Sequence, residues 1–140
     1  MLLVNVLDKS KIEQYIVEKM QGVNVNFIHT EVGGVSNARN IALDQVKGCF
    51  ITFLDDDDFV SPKFLDLLYK SANEETIALC YPYAFNDGNL VEQLPYRLTN
   101  VYEQLYKKKN WRVSSKARSF FSGPCMKLIP VHMIRERRFD

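Results

Sequence analysis

Asp55, Asp56, Asp57 and Asp58 stand in a row directly after the apolar run Cys49-Phe-Ile-Thr-Phe-Leu54. Like charges this close repel and raise one another's pKa unless a cation or good hydrogen bonds compensate. A hard divalent cation bound through carboxylate oxygens would compensate, and would leave coordination sites for phosphate oxygens and water. If the run stays extended, Asp55 and Asp57 point to one side and Asp56 and Asp58 to the other, so one pair would hold the ion. A cation placed there can neutralise charge that builds up on a leaving diphosphate. The alternative is a solvated turn entering a helix, where acidic residues are also favoured. That alternative suits Asp58 best, because it is nearest to Ser61-Pro62. A calcium loop fails on spacing: the alternating ligands, the glycine and the terminal glutamate are absent.

Arg39 is the second candidate. It falls in the first turn of an expected helix, where a cation opposes the macrodipole. The placement makes sense if an anion such as a nucleotide phosphate sits near free backbone N–H groups at that end. Asn37 and Asn40 are placed to add hydrogen bonds. An ion pair between Arg39 and the aspartates is the structural alternative, and the two roles are compatible.

The elements that must position these residues follow from the hydrophobic pattern. Leu2 to Leu7 suits a buried strand, and Ser10-Lys-Ile-Glu13 has the form of a capping box opening a helix with Ile12, Tyr15, Ile16 and Met20 inward. Gly22 stops it, and Val23, Val25 and Phe27 alternate with asparagines at strand period. Ser36 is placed to cap a second helix with Ala38, Ile41, Ala42 and Val46 inward and Gly48 at its end. Cys49 to Leu54 reads as a central strand covered on both faces. Ser61-Pro62 then starts a helix with a stripe of Phe64, Leu65, Leu68 and Ala72. This β-α-β-α-β-α order predicts a doubly wound α/β sheet, with the aspartates beyond a strand's carboxyl end, where such sheets bind ligands. Farther on, Ile77 to Phe85 reads as a strand, Asn86-Asp-Gly-Asn89 as a tight turn and Thr99 to Lys108 as a helix.

Composition bounds the rest. The 140 residues are 46% hydrophobic, enough for one domain with a buried core. With 18 basic and 17 acidic residues there is no electrostatic case for nucleic acid as a partner. Cys49, Cys80 and Cys125 are odd in number and far apart, which argues against a disulfide framework or a zinc site and for a reduced, cytoplasmic protein. They read as small buried apolar residues, and His29 and His132 as surface or strand-end residues. The N-terminal apolar run is too short for a signal peptide or a spanning helix; peripheral attachment at the inner face of a membrane stays open. Lys107 to Arg112 reads as a solvated basic helix end, and Trp111, Phe120 and Phe121 as core residues.

Gly34-Val-Ser-Asn-Ala-Arg-Asn40, Lys47-Gly48 and Phe53-Leu-Asp-Asp-Asp-Asp-Phe59 with Ser61-Pro62 together resemble the family-2 glycosyltransferases of the GT-A fold. Those enzymes join a G-x-S-x-A-R-N helix start to an F-L-D-x-D-D element at matching distance. Lys127-Leu128 and Arg138-Phe-Asp140 look like the family's K-L-Y and R-F-D stretches. The resemblance is strong over residues 33–69 and weaker over 120–140. It implies a GT-A (Rossmann-like) α/β fold with a mainly parallel central sheet flanked by helices. Residues 1–140 would form a single domain, with 1–85 the nucleotide-sugar-binding half and 86–140 the start of the acceptor half.

By position, the resemblance implies that Asp55 contacts the nucleotide, Asp57 binds metal, Asp58 is the family's following aspartate and Arg39 lies near the nucleotide. Asp56 and Asn37 join that nucleotide-sugar set, and Asp55 joins Asp57 as metal ligand. The implied cofactor is Mg2+ or Mn2+. The implied partners are a nucleotide-diphospho-sugar donor and a saccharide or lipid-linked acceptor, with inversion by direct displacement and a base that deprotonates the acceptor.

The departures matter. The family's opening strand with P-x-Y-N has no counterpart, so the first β-α unit is expected to be incomplete and the chain truncated at both ends. Where the family has D-D-G-S, the sequence reads Asn5-Val-Leu-Asp-Lys-Ser10, which leaves only Asp8 for the nucleoside. The usual base lies in an E-D pair after R-F-D, and the sequence stops at Asp140. No base is named, so turnover by this polypeptide alone does not follow from the resemblance. The competing reading is a non-catalytic remnant or interaction module that keeps the fold. A nucleotidyltransferase would show a glycine-rich phosphate loop near the first strand, and none is present. A missing strand also exposes a sheet edge, so self-association is expected.

Overall fold

The first six elements alternate as the hydrophobic pattern requires. They are β1 (Leu2–Asn5), α1 (Lys9–Lys19), β2 (Asn26–His29), α2 (Val35–Gln45), β3 (Phe50–Ile51) and α3 (Phe64–Ser71). After them come β4 (Ala78–Leu79), β5 (Ala84–Asn86), β6 (Asn89–Leu94), β7 (Lys127–Pro130) and a short α4 (Val131–Ile134). The computed structural model describes residues 2–5, 9–80, 82–86, 89–94, 107 and 123–140. They cluster as two compact units, Met1–Ile51 with Val131–Asp140, and Thr52–Pro130.

In the first unit, β1 and β2 pair in parallel, from Leu2 opposite Asn26 to Asn5 opposite His29. A parallel pair needs a crossover, and α1 supplies it. The crossover ends where Gly22 takes φ +80° and the Val23 N–H donates to the Met20 carbonyl. α2 lies against β1. Among the described residues of this unit, Leu43 and Val131 are buried apolar side chains. The Val131 N–H donates to the Cys49 carbonyl at 2.8 Å, fixing the start of α4 to the residue before β3.

In the second unit, β4 and β7 pair antiparallel, Ala78 opposite Leu128 and Leu79 opposite Lys127. An isolated parallel bridge joins Phe53 to Cys125. All four residues of β7 are buried. α3 lies against both strands and buries Leu68. β5 and β6 form a hairpin in which Asn86 faces Asn89, as the Asn-Asp-Gly-Asn signal requires.

Several expectations need correction. Among the described residues the strands form three small sheets, with β1–β2 parallel and β4–β7 antiparallel, and these do not join into one mainly parallel sheet. The run from Cys49 to Leu54 is not a continuous strand buried on both faces. Cys49 is exposed, Leu54 is 53% exposed, and regular pairing is confined to Phe50–Ile51 and the Phe53 bridge. The strand expected at Val23 starts at Asn26, because the Gly22 turn occupies the residues before it. The strand expected over Ile77 to Phe85 is divided between β4 and β5.

Helix starts also shift. α1 begins at Lys9, one residue before Ser10. Ser61 and Pro62 precede α3: the Phe64 N–H closes a turn on the Ser61 carbonyl, and Lys63 is the N-cap. Tyr15 and Leu65, expected inside, are exposed. The helix expected over Thr99 to Lys108 lies outside the described residues apart from Lys107, as do Trp111, Phe120 and Phe121. Among the described residues, no helix is long and apolar enough to cross a membrane.

Candidate functional site

The aspartate run is a tight turn. The Asp58 N–H donates to the Asp55 carbonyl at 3.1 Å, with Asp56 and Asp57 at the corner. The side-chain alternation of an extended run therefore does not apply. One carboxylate oxygen each of Asp55 and Asp58 and the Cys125 Sγ lie within 4.8 Å of one another. The Phe53–Cys125 bridge accounts for this, since it sets Cys125 beside the strand end from which the turn departs. Asp56, Asp57 and Asp58 are exposed.

Partial desolvation of its carboxyl raises Asp58 above its ordinary value, helped by the charges of Asp55 and Asp57, while a hydrogen bond with the Asp55 main chain works the other way. A nearby cation would reverse the two charge contributions. The two carboxylates are hard donors that suit Mg2+ or Mn2+, whereas the Cys125 thiol is soft and does not. The donor chemistry of the turn therefore fits a hard cation on its oxygen side.

Cys125 leads into a buried polar group. Lys127 is only 7% exposed, and its ammonium donates to the Gly123 carbonyl. Burial lowers the Lys127 pKa, against the opposing influence of Cys125 and Cys80. Burial raises the Cys80 thiol, whose N–H and Sγ both reach the Met126 carbonyl.

The other sequence-predicted residues lie in the first unit. Gly34, not Ser36, is the N-cap of α2; it takes φ 111° and ψ 135°, and no side chain caps the helix. That conformation belongs to glycine, so the turn into α2 is completed before Ser36 is reached. The orphan N–H groups of the first helical turn are thereby left for water or a ligand. Asn37 is turned back on the preceding loop: its Nδ2 donates to the Val32 carbonyl at 2.7 Å and reaches the Thr30 hydroxyl at 3.5 Å.

Asn40 holds the carboxyl-terminal segment. Its Nδ2 donates to the Phe139 carbonyl and its Oδ1 accepts from the Phe139 N–H, both at 2.9 Å. The Arg39 guanidinium carbon stands 5.8 Å from the centre of the Phe139 ring. Asp8 lies outside the described residues. Sequence reasoning did not assign Cys125 or Phe139 to the site. The Arg138-Phe-Asp140 stretch was the available signal for Phe139, and nothing in the spacing pointed to Cys125.

One family model and three curated relatives bear on what this arrangement is. The sequence model of Glycosyl transferase family 2 matches residues 4–133. The chain is 31% identical over 143 aligned positions to Glycosyltransferase GlyG of Streptococcus pneumoniae serotype 4, covering 86% of this chain and 45% of that protein. It is 28% identical over 121 positions to Glycosyltransferase GlyA of the same organism, covering 81% and 17%. To GalNAc(5)-diNAcBac-PP-undecaprenol beta-1,3-glucosyltransferase of Campylobacter jejuni it is 29% identical over 109 positions, covering 76% and 33%. The chain thus spans less than half the length of these curated relatives.

Proposed function

This chain belongs to glycosyl transferase family 2, and from that premise we propose that it binds a nucleotide-diphospho-sugar and serves its transfer, with inversion, to an acceptor hydroxyl. The family carries sugar transfer and the GT-A fold with it. The observation that carries the finer reading is the Asp55–Asp58 turn, which brings two carboxylates together beside the end of a strand.

Arg39 and the start of α2, whose first N–H groups no side chain caps, suit the phosphate oxygens of the donor. Mg2+ or Mn2+ would be held by Asp55 with a second carboxylate, Asp57 by motif position or Asp58 by side-chain proximity. When bound, it would offset charge developing on the leaving diphosphate. Asp56 and Asp8 complete the nucleotide-sugar set. Asn37 acts through the loop before α2, whose shape its hydrogen bonds maintain. No residue is assigned as the base that takes the acceptor proton.

The acceptor is a saccharide or a lipid-linked saccharide. The name of the Campylobacter relative, which ends its acceptor in PP-undecaprenol, supports the lipid-linked form. Such an acceptor suits a cytoplasmic protein working at the inner face of a membrane. Self-association through an open sheet edge belongs to the same proposal; light scattering that gives a clean monomer at high concentration would oppose it.

The test of the function is nucleotide release. The chain is incubated with a panel of UDP- and GDP-linked hexoses and Mn2+, with and without lipid-linked saccharide acceptors. Release that depends on Mn2+ and is lost in Asp55→Asn supports the reading. Release unaffected by either change contradicts it.

A further inference from the structure

Three side chains on one face of α2 hold three successive residues of the carboxyl-terminal segment. Ser36 donates its hydroxyl to the Asp140 main-chain oxygen. Asn40 exchanges two hydrogen bonds with the Phe139 main chain. Asp44 pairs with Arg138 at 2.7 Å, and the second arm of that guanidinium reaches the Asn40 carbonyl at 3.3 Å. Positions 36, 40 and 44 lie four apart, one helical turn at a time on the same side. The segment therefore runs back along the helix in a fixed register, and its middle residue is the one held on both main-chain groups.

That register has a consequence for Arg39. With the Phe139 main chain fixed, its ring is set beneath the Arg39 guanidinium. A long arginine side chain has much rotamer freedom to lose on ordering, and an aromatic face within about 6 Å of the guanidinium limits that freedom. We propose that Asn40 and Phe139 are positioning residues for donor binding: Asn40 fixes Phe139, and the Phe139 ring aims Arg39 at the donor diphosphate. The inference rests on the donor reading given above. Segment 138–140 thus acts on the nucleotide through Arg39.

The test uses the 140-residue chain and two readouts. The Arg39 Nε–H resonance reports the ring current of Phe139 with no ligand present. Calorimetry with UDP and GDP plus Mn2+ reports donor-side affinity. Phe139→Leu keeps the main-chain pairing and removes the ring, so it tests the platform without releasing the segment. We expect the ring-current shift to vanish and diphosphate affinity to fall about threefold, with both restored in Phe139→Trp. Asn40→Ala is expected to weaken both signals while leaving the ring in the chain. An unchanged Arg39 resonance in Phe139→Leu overturns the stacking. A collapsed resonance with unchanged affinity overturns the positioning role. Absence of UDP and GDP binding in the unaltered chain sinks the donor reading and this role with it, while the ring-current result shows separately whether the platform exists.

Discussion

The Asn40 side chain pairs with Phe139 as one strand pairs with another, giving an N–H to the carbonyl and accepting one from the amide, each at 2.9 Å. Only a primary amide can do both at once with this geometry. Each bond is worth about 1 kcal/mol net, so Asn40→Ala should lower unfolding stability by about 2 kcal/mol in a urea titration. Asp44→Ala, which removes an exposed ion pair with Arg138, should barely move the same midpoint. Equal effects of the two substitutions would contradict this ranking.

Gly34 starts α2 in a conformation that side chains rarely adopt. A methyl group added there meets nothing within 4 Å, so any cost of Gly34→Ala is backbone strain alone. We expect a loss of about 1–3 kcal/mol by chemical denaturation. Gly33→Ala, where φ is not positive and space is equally open, should be nearly silent. If Gly34→Ala is as stable as the unaltered chain, the turn into α2 is not held as described.

Asp58 gives the fold a pH dependence with a definite sign. Its carboxyl is raised by partial desolvation first and by Asp55 and Asp57 next, so the folded state holds that proton more tightly than the unfolded state. Its contribution to stability is therefore fully present below the ordinary aspartate value of about 3.9. It is lost as pH rises through the raised folded value. Compared with Asp58→Asn, the unaltered chain should lose relative stability over this rise, and Mn2+ should recover part of it near neutrality. Parallel stability curves for the two proteins across pH would refute the assignment.

The sequence was informative where local pattern decides the outcome. The order of the first six elements, the glycine stop after α1, and the pairing of Asn86 with Asn89 all follow from periodicity and turn chemistry. The aspartate run was legible as a carboxylate cluster following a strand, but its shape was not, because the bond from the Asp58 N–H to the Asp55 carbonyl competes with extension. Ser36 has the composition of an N-cap, yet the Gly34 backbone ends the loop first and leaves the Ser36 hydroxyl for Asp140. Cys125 and Phe139 could not be placed against their partners, since those contacts join residues far apart in the chain and carry no period. The expected single sheet rested on a run of apolar residues whose ends, Cys49 and Leu54, are solvent-exposed.

Calorimetric titration of UDP and GDP, with and without Mn2+, tests the central claim most directly. The unaltered chain should bind one of the two only when Mn2+ is present, and Asp55→Asn should abolish that binding. Asp57→Asn and Asp58→Asn should then divide, the larger loss naming the second carboxylate on the cation. Binding of equal strength without Mn2+, or in Asp55→Asn, would contradict a metal-held donor on this turn.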